Sequence, residues 1–120
     1  MDLKIALLQL LPDGSLDEQQ DKGKTACIKA KEMGADIALF PEMWSDGYAL
    51  PRNEETLNEL AILSDSGFVC FFGALARELQ MAIGITFLEK NDPKPLNSIV
   101  LFDRNGDGCC RYLQLSQRTA

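Results

Sequence analysis

The sequence predicts a single α/β domain in which parallel strands alternate with helices. Two apolar runs, at 4–11 and 36–41, flank a segment with helical spacing at 15–33. A strand, a helix and a strand in this order form a unit whose strands are parallel and whose crossover is right-handed. The chain has 120 residues, of which 46% are hydrophobic and 25% charged, as in ordinary soluble domains that bury one core.

The first strand and the first helix are marked by their boundaries. Lys4–Leu11 is almost continuously apolar, which is typical of a strand buried on both faces. Ser15 and Glu18 have the spacing of a capping box, and Gly34 stands where a helix ends in a left-handed residue. The buried stripe of this helix is rich in small residues, namely Gly23, Ala26, Cys27, Ala30 and Met33. We therefore expect the helix to pack closely on the sheet.

The remaining elements follow in the second half of the chain. In order, the patterns predict a short helix over 54–63, an amphipathic helix over 68–79, strands over 81–88 and 97–102, and a final hairpin arm over 109–115. Asn105 and Gly106 form the dipeptide that favours a tight hairpin turn. Residues 116–120 carry neither a period nor a cap, so we expect a frayed tail.

Composition excludes several classes of function. A net charge of −6 without a basic cluster makes nucleic acid and anionic membranes poor partners. The first apolar run is short and has no cleavage site after it, so neither a signal peptide nor a membrane span is expected. The four cysteines lack C-x-x-C spacing and there is no histidine, which predicts a reduced, cytoplasmic protein without zinc or another cofactor. The absence of histidine also excludes Ser-His and Cys-His catalytic pairs.

Glu42 is the first candidate for chemistry because it follows a buried strand directly. Pro41 ends the ladder pairing, so the chain leaves the sheet at the carboxyl end of the strand, where open α/β sheets bind ligands. The alternative is an exposed loop glutamate. Trp44 and Tyr48 come next, and their rings either line a substrate pocket or simply pack.

A second motif, Asp103-x-Asn105-x-Asp107-Gly108, matches the first half of a calcium-binding loop. The twelfth position of such a loop requires a bidentate glutamate, and here it is Gln114. The segment before the motif also reads as a strand rather than a helix. We therefore predict a hairpin turn and no metal site.

Several short blocks occur in a fixed order along residues 4–107. They include Lys4–Leu10, Gly34-Ala35-Asp36, Leu39–Trp44, Leu75–Leu79, Ala82–Thr86 and Asn97–Asp103. Together these blocks resemble the nitrilase superfamily of carbon–nitrogen hydrolases. The resemblance implies that residues 1–107 are the N-terminal half of an αββα sandwich and that residues 108–120 form a divergent tail.

The resemblance also assigns roles to residues. Members of this family hydrolyse nitriles or amides with a glutamate, a lysine and a cysteine, and Glu42 matches the glutamate that acts as general base. Gln114 stands at the position of the lysine, and none of the four cysteines matches the nucleophile. The departures imply an incomplete triad, and we expect a truncated, alternatively spliced or frame-shifted product.

Two functions therefore stand side by side at this stage. The first is a hydrolase domain for the C–N bond of a small amide or nitrile. The second is an inactive fragment that binds a partner, either a second copy of the chain or an intact homologue, through a sheet face left uncovered. A receiver-like signalling domain is a third alternative of matching length, but the chain offers Glu42 and the lone Asp13 where a receiver needs several aspartates.

Overall fold

The structure is a computed structural model that describes residues 3–8, 10, 15–41, 61–91 and 96–115. The elements are β1 (Ile5–Leu7), α1 (Leu16–Glu32), β2 (Ile37–Leu39), α2 (Gly67–Leu79), β3 (Ala82–Glu89), β4 (Leu96–Phe102) and β5 (Gly108–Leu115). The five strands form one sheet in the order β1-β2-β3-β4-β5. β1, β2 and β3 are parallel, whereas β4 is antiparallel to both β3 and β5. The α/β class and the parallel β1-α1-β2 unit are confirmed.

Local signals placed α1 and the hairpin correctly. The Ser15 hydroxyl accepts a hydrogen bond from the Glu18 N–H at 3.2 Å, and the Glu18 carboxylate accepts one from the Ser15 N–H at 3.1 Å. In the turn between β4 and β5, Asp103 Oδ1 accepts hydrogen bonds from the N–H groups of Asn105 and Asp107 at 2.9 and 3.0 Å. This Asx turn confirms the hairpin. Within the described ranges, no group of three or more His, Cys, Asp or Glu side chains could hold a metal ion.

The prediction of a helix over 54–63 is wrong at the C-terminal end of that range. Residues 54–60 lie outside the described part of the chain. Ile62 forms an isolated parallel bridge with Glu89, so the backbone here is extended. The bridge extends the edge of the sheet where β3 ends.

Helices α1 and α2 cover one face of the sheet and enclose the core. An ideal Cβ on Gly23 would lie 2.8 Å from Phe40 Cε2 and 2.9 Å from Phe72 Cζ, which confirms the predicted close approach. Met33 is the exception on the predicted stripe, because it caps the C-terminus of α1 and is 72% exposed. The fully buried side chains on this face of the sheet are Ala38, Ile83, Ile85 and Phe87. None of the helices in the described residues is both long and apolar enough to cross a membrane.

The opposite face of the sheet is apolar and partly exposed. Leu39, Ile99 and Leu101 share this face, since all three side chains lie within 3.6 Å of an ideal Cβ on Gly84. β1 adds Leu3, Ile5 and Leu7, which are 65%, 51% and 70% exposed. The strand register places Ile5 beside Ile37 and Leu7 beside Leu39. We call this surface, formed by Leu3, Ile5, Leu7, Ile37, Leu39, Ile99 and Leu101, the open face.

Candidate functional site

The carboxyl ends of β1, β2, β3 and β5 meet at one edge of the sheet, because these four strands run in the same direction. The chain leaves β2 at this edge through Phe40 and Pro41. The Phe40 N–H donates to the Gly84 carbonyl at 3.0 Å, and the Phe40 ring packs edge-on against Phe72 at 5.0 Å between centroids. The buried Thr86 hydroxyl donates to the Pro41 carbonyl oxygen. The backbone is therefore fixed to β3 up to the residue that precedes Glu42.

Three of the predicted site residues lie outside the described part of the chain. These are Glu42, the candidate base, and the two candidate pocket residues Trp44 and Tyr48. Their roles stay predictions. What the structure adds is the anchored Pro41 immediately before them.

Gln114, at the position expected to hold a lysine, lies near the carboxyl end of β5. Its backbone pairs with Asn97 of β4, so it belongs to the same edge of the sheet as Pro41. β3 and β4 lie between β2 and β5, and three inter-strand steps amount to about 14 Å between backbones. A side chain at position 114 and one near the end of β2 are therefore too far apart for direct contact within the sheet, and a substrate would have to lie between them.

A buried carboxylate at the same edge was not foreseen from the sequence, because the predicted strand over 81–88 stops one residue before Glu89. Glu89 is instead the last residue of β3 and is only 9% exposed. The Ser98 hydroxyl of β4 donates to Glu89 Oε1 at 2.8 Å. On either side of Glu89 in the chain, the Ile62 N–H donates to the Leu88 carbonyl and the Lys90 N–H donates to the Ile62 carbonyl, both at 2.8 Å.

This pair joins β3 to β4 at the edge of the sheet that holds the candidate site. A clue was present in the sequence, since Glu89 stands two residues after Phe87 and so continues its side of the strand. The polar residues that follow Glu89 in the sequence made it look like part of a loop. A hydrogen-bonded carboxylate in this position can hold the ends of both strands in register.

The two cysteines with described side chains differ in chemistry. Cys27 is fully buried in α1, and its burial raises the pKa of the thiol to about 12. At neutral pH it is therefore a protonated, inert side chain. Cys70 is exposed in the first turns of α2, with its Sγ 3.5 Å from the Asp65 carbonyl oxygen. Both are free thiols.

Comparison with known proteins shows which family the chain matches and which solved structures share its fold. Residues 4–117 match the sequence profile of the family described as Carbon-nitrogen hydrolase, a match that runs past Asp107 and across β5. A citrullinase from Francisella tularensis is 28% identical over 105 residues, which are 87% of this chain and 37% of that protein.

Solved structures show the same fold at low identity. One is an amidase from Nesterenkonia sp. AN1, in a glutamate-to-glutamine form showing Michael addition of acrylamide at the active-site cysteine. It superposes with a TM-score of 0.81 at 17% identity, over 99% of this chain and 46% of its own. The NitFhit protein of C. elegans gives a TM-score of 0.79 at 20% identity, over 98% of this chain and 30% of its own. The chain thus spans less than half the length of each of these proteins.

Proposed function

The chain belongs to the carbon–nitrogen hydrolase family, and from this premise we propose that it is the glutamate-bearing N-terminal half of an amide- or nitrile-hydrolysing domain. The observation that carries the proposal is the anchored end of β2. Thr86 holds the Pro41 carbonyl at the edge where the parallel strands end, and Glu42 is the next residue in the sequence. Both the family match and the nitrilase-type fold include this strand.

In the proposed chemistry, Glu42 acts as general base. It takes the proton of a cysteine thiol, and the thiolate attacks the carbonyl or nitrile carbon of the substrate. For an amide, the C–N bond then breaks and the amine leaves with a proton. Water releases the acyl group from sulfur in the second step. Trp44 and Tyr48 are the proposed walls of the substrate pocket.

Two features support a site that these 120 residues do not complete on their own. Gln114 donates hydrogen bonds but lacks the positive charge that would stabilise a developing negative charge, and losing one such group costs about 10²–10³ in rate. None of the four cysteines is proposed as the nucleophile: Cys27 is buried and protonated. A reducing, cytoplasmic location belongs to the same proposal, and the free thiols of Cys27 and Cys70 support it.

Ammonia release from a panel of small aliphatic amides and nitriles tests this proposal. We expect the 120-residue chain to release no more ammonia than its Glu42→Gln variant. Glu78→Gln, an exposed glutamate on α2, is the matched control. Turnover that is lost in Glu42→Gln and kept in Glu78→Gln would show that other groups replace the lysine and the cysteine. That result would contradict the proposal that these 120 residues form an incomplete catalytic site.

A second candidate function is supported by the open face. Leu3, Ile5 and Leu7 expose more than half of their surface although the helices cover the other side of the sheet. Large exposed apolar patches mark interaction sites in soluble proteins. The second candidate is therefore an assembly partner that binds through this face and performs no hydrolysis.

A further inference from the structure

We propose that β3 holds both ends of the segment 42–60, in which the candidate base Glu42 lies, and that Thr86 and Ile62 are positioning residues for this base. The inference deepens the proposed function and rests on it. Thr86 fixes the backbone immediately before the segment, and Ile62 fixes the backbone just after it.

The first end of the segment is attached at Phe40 and Pro41. The Phe40 N–H donates to the Gly84 carbonyl at 3.0 Å, and the Thr86 hydroxyl donates to the Pro41 carbonyl oxygen. Thr86 is only 7% exposed, so water competes little for this hydrogen bond. Both residues before Glu42 are therefore bound to β3.

The second end is attached at Ala61 and Ile62. Ala61 is buried, and Ile62 packs against the hydrophobic core. The Ile62 N–H donates to the Leu88 carbonyl and the Ile62 carbonyl accepts from the Lys90 N–H, both at 2.8 Å. This pair of bonds forms the parallel bridge to Glu89 and fixes the position of Ile62 along β3.

Both attachments use the same edge of β3. The other edge pairs with β4, where Glu89 stands opposite Leu96. The two acceptor carbonyls on β3 belong to Gly84 and Leu88, four residues apart, which corresponds to about 13 Å along a strand. A segment as long as 42–60 can span more than about 60 Å, so its ends are held much closer together than its length requires.

The position of Glu42 gives these attachments their importance. Glu42 is the first residue after Pro41, so the fixed backbone ends one peptide bond before it. A catalytic group must be held within about 0.5 Å of its productive position by residues that are themselves locked in place. Such locking is present here, since Thr86 is buried and the Ser98 hydroxyl of β4 donates to the Glu89 carboxylate beside the second attachment.

The test uses Trp44, the single tryptophan of the chain, which stands two residues after Glu42. Quenching of its fluorescence by acrylamide is measured in native buffer. Thr86→Val removes the hydroxyl and is expected to raise the quenching constant about twofold or more, because a local attachment opens more often. Thr86→Ser keeps a hydroxyl and should stay close to the wild type. Thr25→Val, which removes an exposed hydrogen bond on α1, is the matched control and should change nothing.

A second pair of variants tests the other end of the segment. Ile62→Pro removes the N–H that donates to Leu88 and is also expected to raise the quenching constant. Leu63→Pro is its control, because Leu63 is exposed and its N–H donates to none of the described residues. If Ile62→Pro does not fold, the Thr86 series still decides the proposal.

Urea midpoints of the same samples separate positioning from stability alone. A Thr86→Val variant with a lower midpoint but unchanged native quenching would show a purely structural role and overturn the proposal. Equal quenching in Thr86→Ser and Thr86→Val would also overturn it, as would a wild-type constant equal to that of free N-acetyltryptophanamide. The experiment contains no substrate, so its failure leaves the ammonia-release test of the proposed function standing, and the reverse also holds.

Discussion

At the scale of the residue, the burial of Cys27 determines its reactivity. The thiol lies in the core under α1 with a pKa of about 12, whereas Cys70 is exposed on α2. Alkylation requires the thiolate and access to it. We expect iodoacetamide at pH 8 to label Cys70 in the folded chain and to spare Cys27 until urea is added. Peptide mass mapping measures both sites, and rapid native labelling of Cys27 would contradict the described burial.

The same thiol makes stability depend on pH. Below pH 9.0 it is protonated in both the folded and the unfolded state. Between pH 9.0 and about 12 the unfolded state loses the proton and the folded state keeps it, so stability falls as the pH rises. The loss is at most about 1.4 kcal/mol per pH unit. The urea midpoint should therefore fall less between pH 7.5 and pH 10.5 in Cys27→Ala than in the wild type. Equal losses in both proteins would refute the assignment.

The Ser98 hydroxyl stabilises the buried Glu89 carboxylate. Ser98→Ala removes a donor at 2.8 Å and is expected to cost about 1–3 kcal/mol of the free energy of unfolding. Glu89→Gln keeps an acceptor oxygen and should cost less. Thr25→Val, which removes a side-chain hydrogen bond on the exposed side of α1, is the control and should change little. Urea denaturation at pH 7 compares the three, and a neutral Ser98→Ala would mean that the pair does not hold β3 to β4.

At the scale of the element, the contact of α1 with β2 and α2 depends on Gly23. An alanine methyl there would meet Phe40 and Phe72 at under 3 Å, so Gly23→Ala should destabilise the chain by about 1–3 kcal/mol despite its better helix propensity. Gly67, the first residue of α2, has open space around its Cβ position. Gly67→Ala is therefore expected to be neutral or stabilising. Thermal and urea unfolding should order the two variants in this way, and the reverse order would refute the tight packing.

The elements that the sequence predicted well are those with local signals. Ser15, Glu18 and Gly34 define α1 because capping and a left-handed residue involve only near neighbours. The bridge of Ile62 to Glu89 could not be predicted, because it joins residues distant in the chain. The burial of Glu89 has the same origin, since it depends on a neighbouring strand. At the candidate site, the sequence predicted the edge of β2, whereas the contact of Thr86 with Pro41 needed the fold.

At the scale of the whole molecule, net charge opposes self-association of the chain and the apolar open face favours it. Each copy carries a net charge of −6, so two copies repel each other at low salt. The open face contributes no charged side chain within the described residues, so salt cannot weaken the contact by screening ion pairs there.

Salt should therefore strengthen any association of two copies of the chain through the open face. Between about 0.01 M and 0.1 M ionic strength the Debye length falls from about 30 to about 10 Å, which screens the repulsion between the two copies. We expect the dissociation constant of the wild-type chain to fall several-fold over this range in sedimentation equilibrium. Ile28→Gln, a neutral substitution on α1, keeps the net charge and the interface and should show the same slope. A dissociation constant that rises with salt would mean that ion pairs hold the copies together and that the interface lies elsewhere, because the open face supplies none.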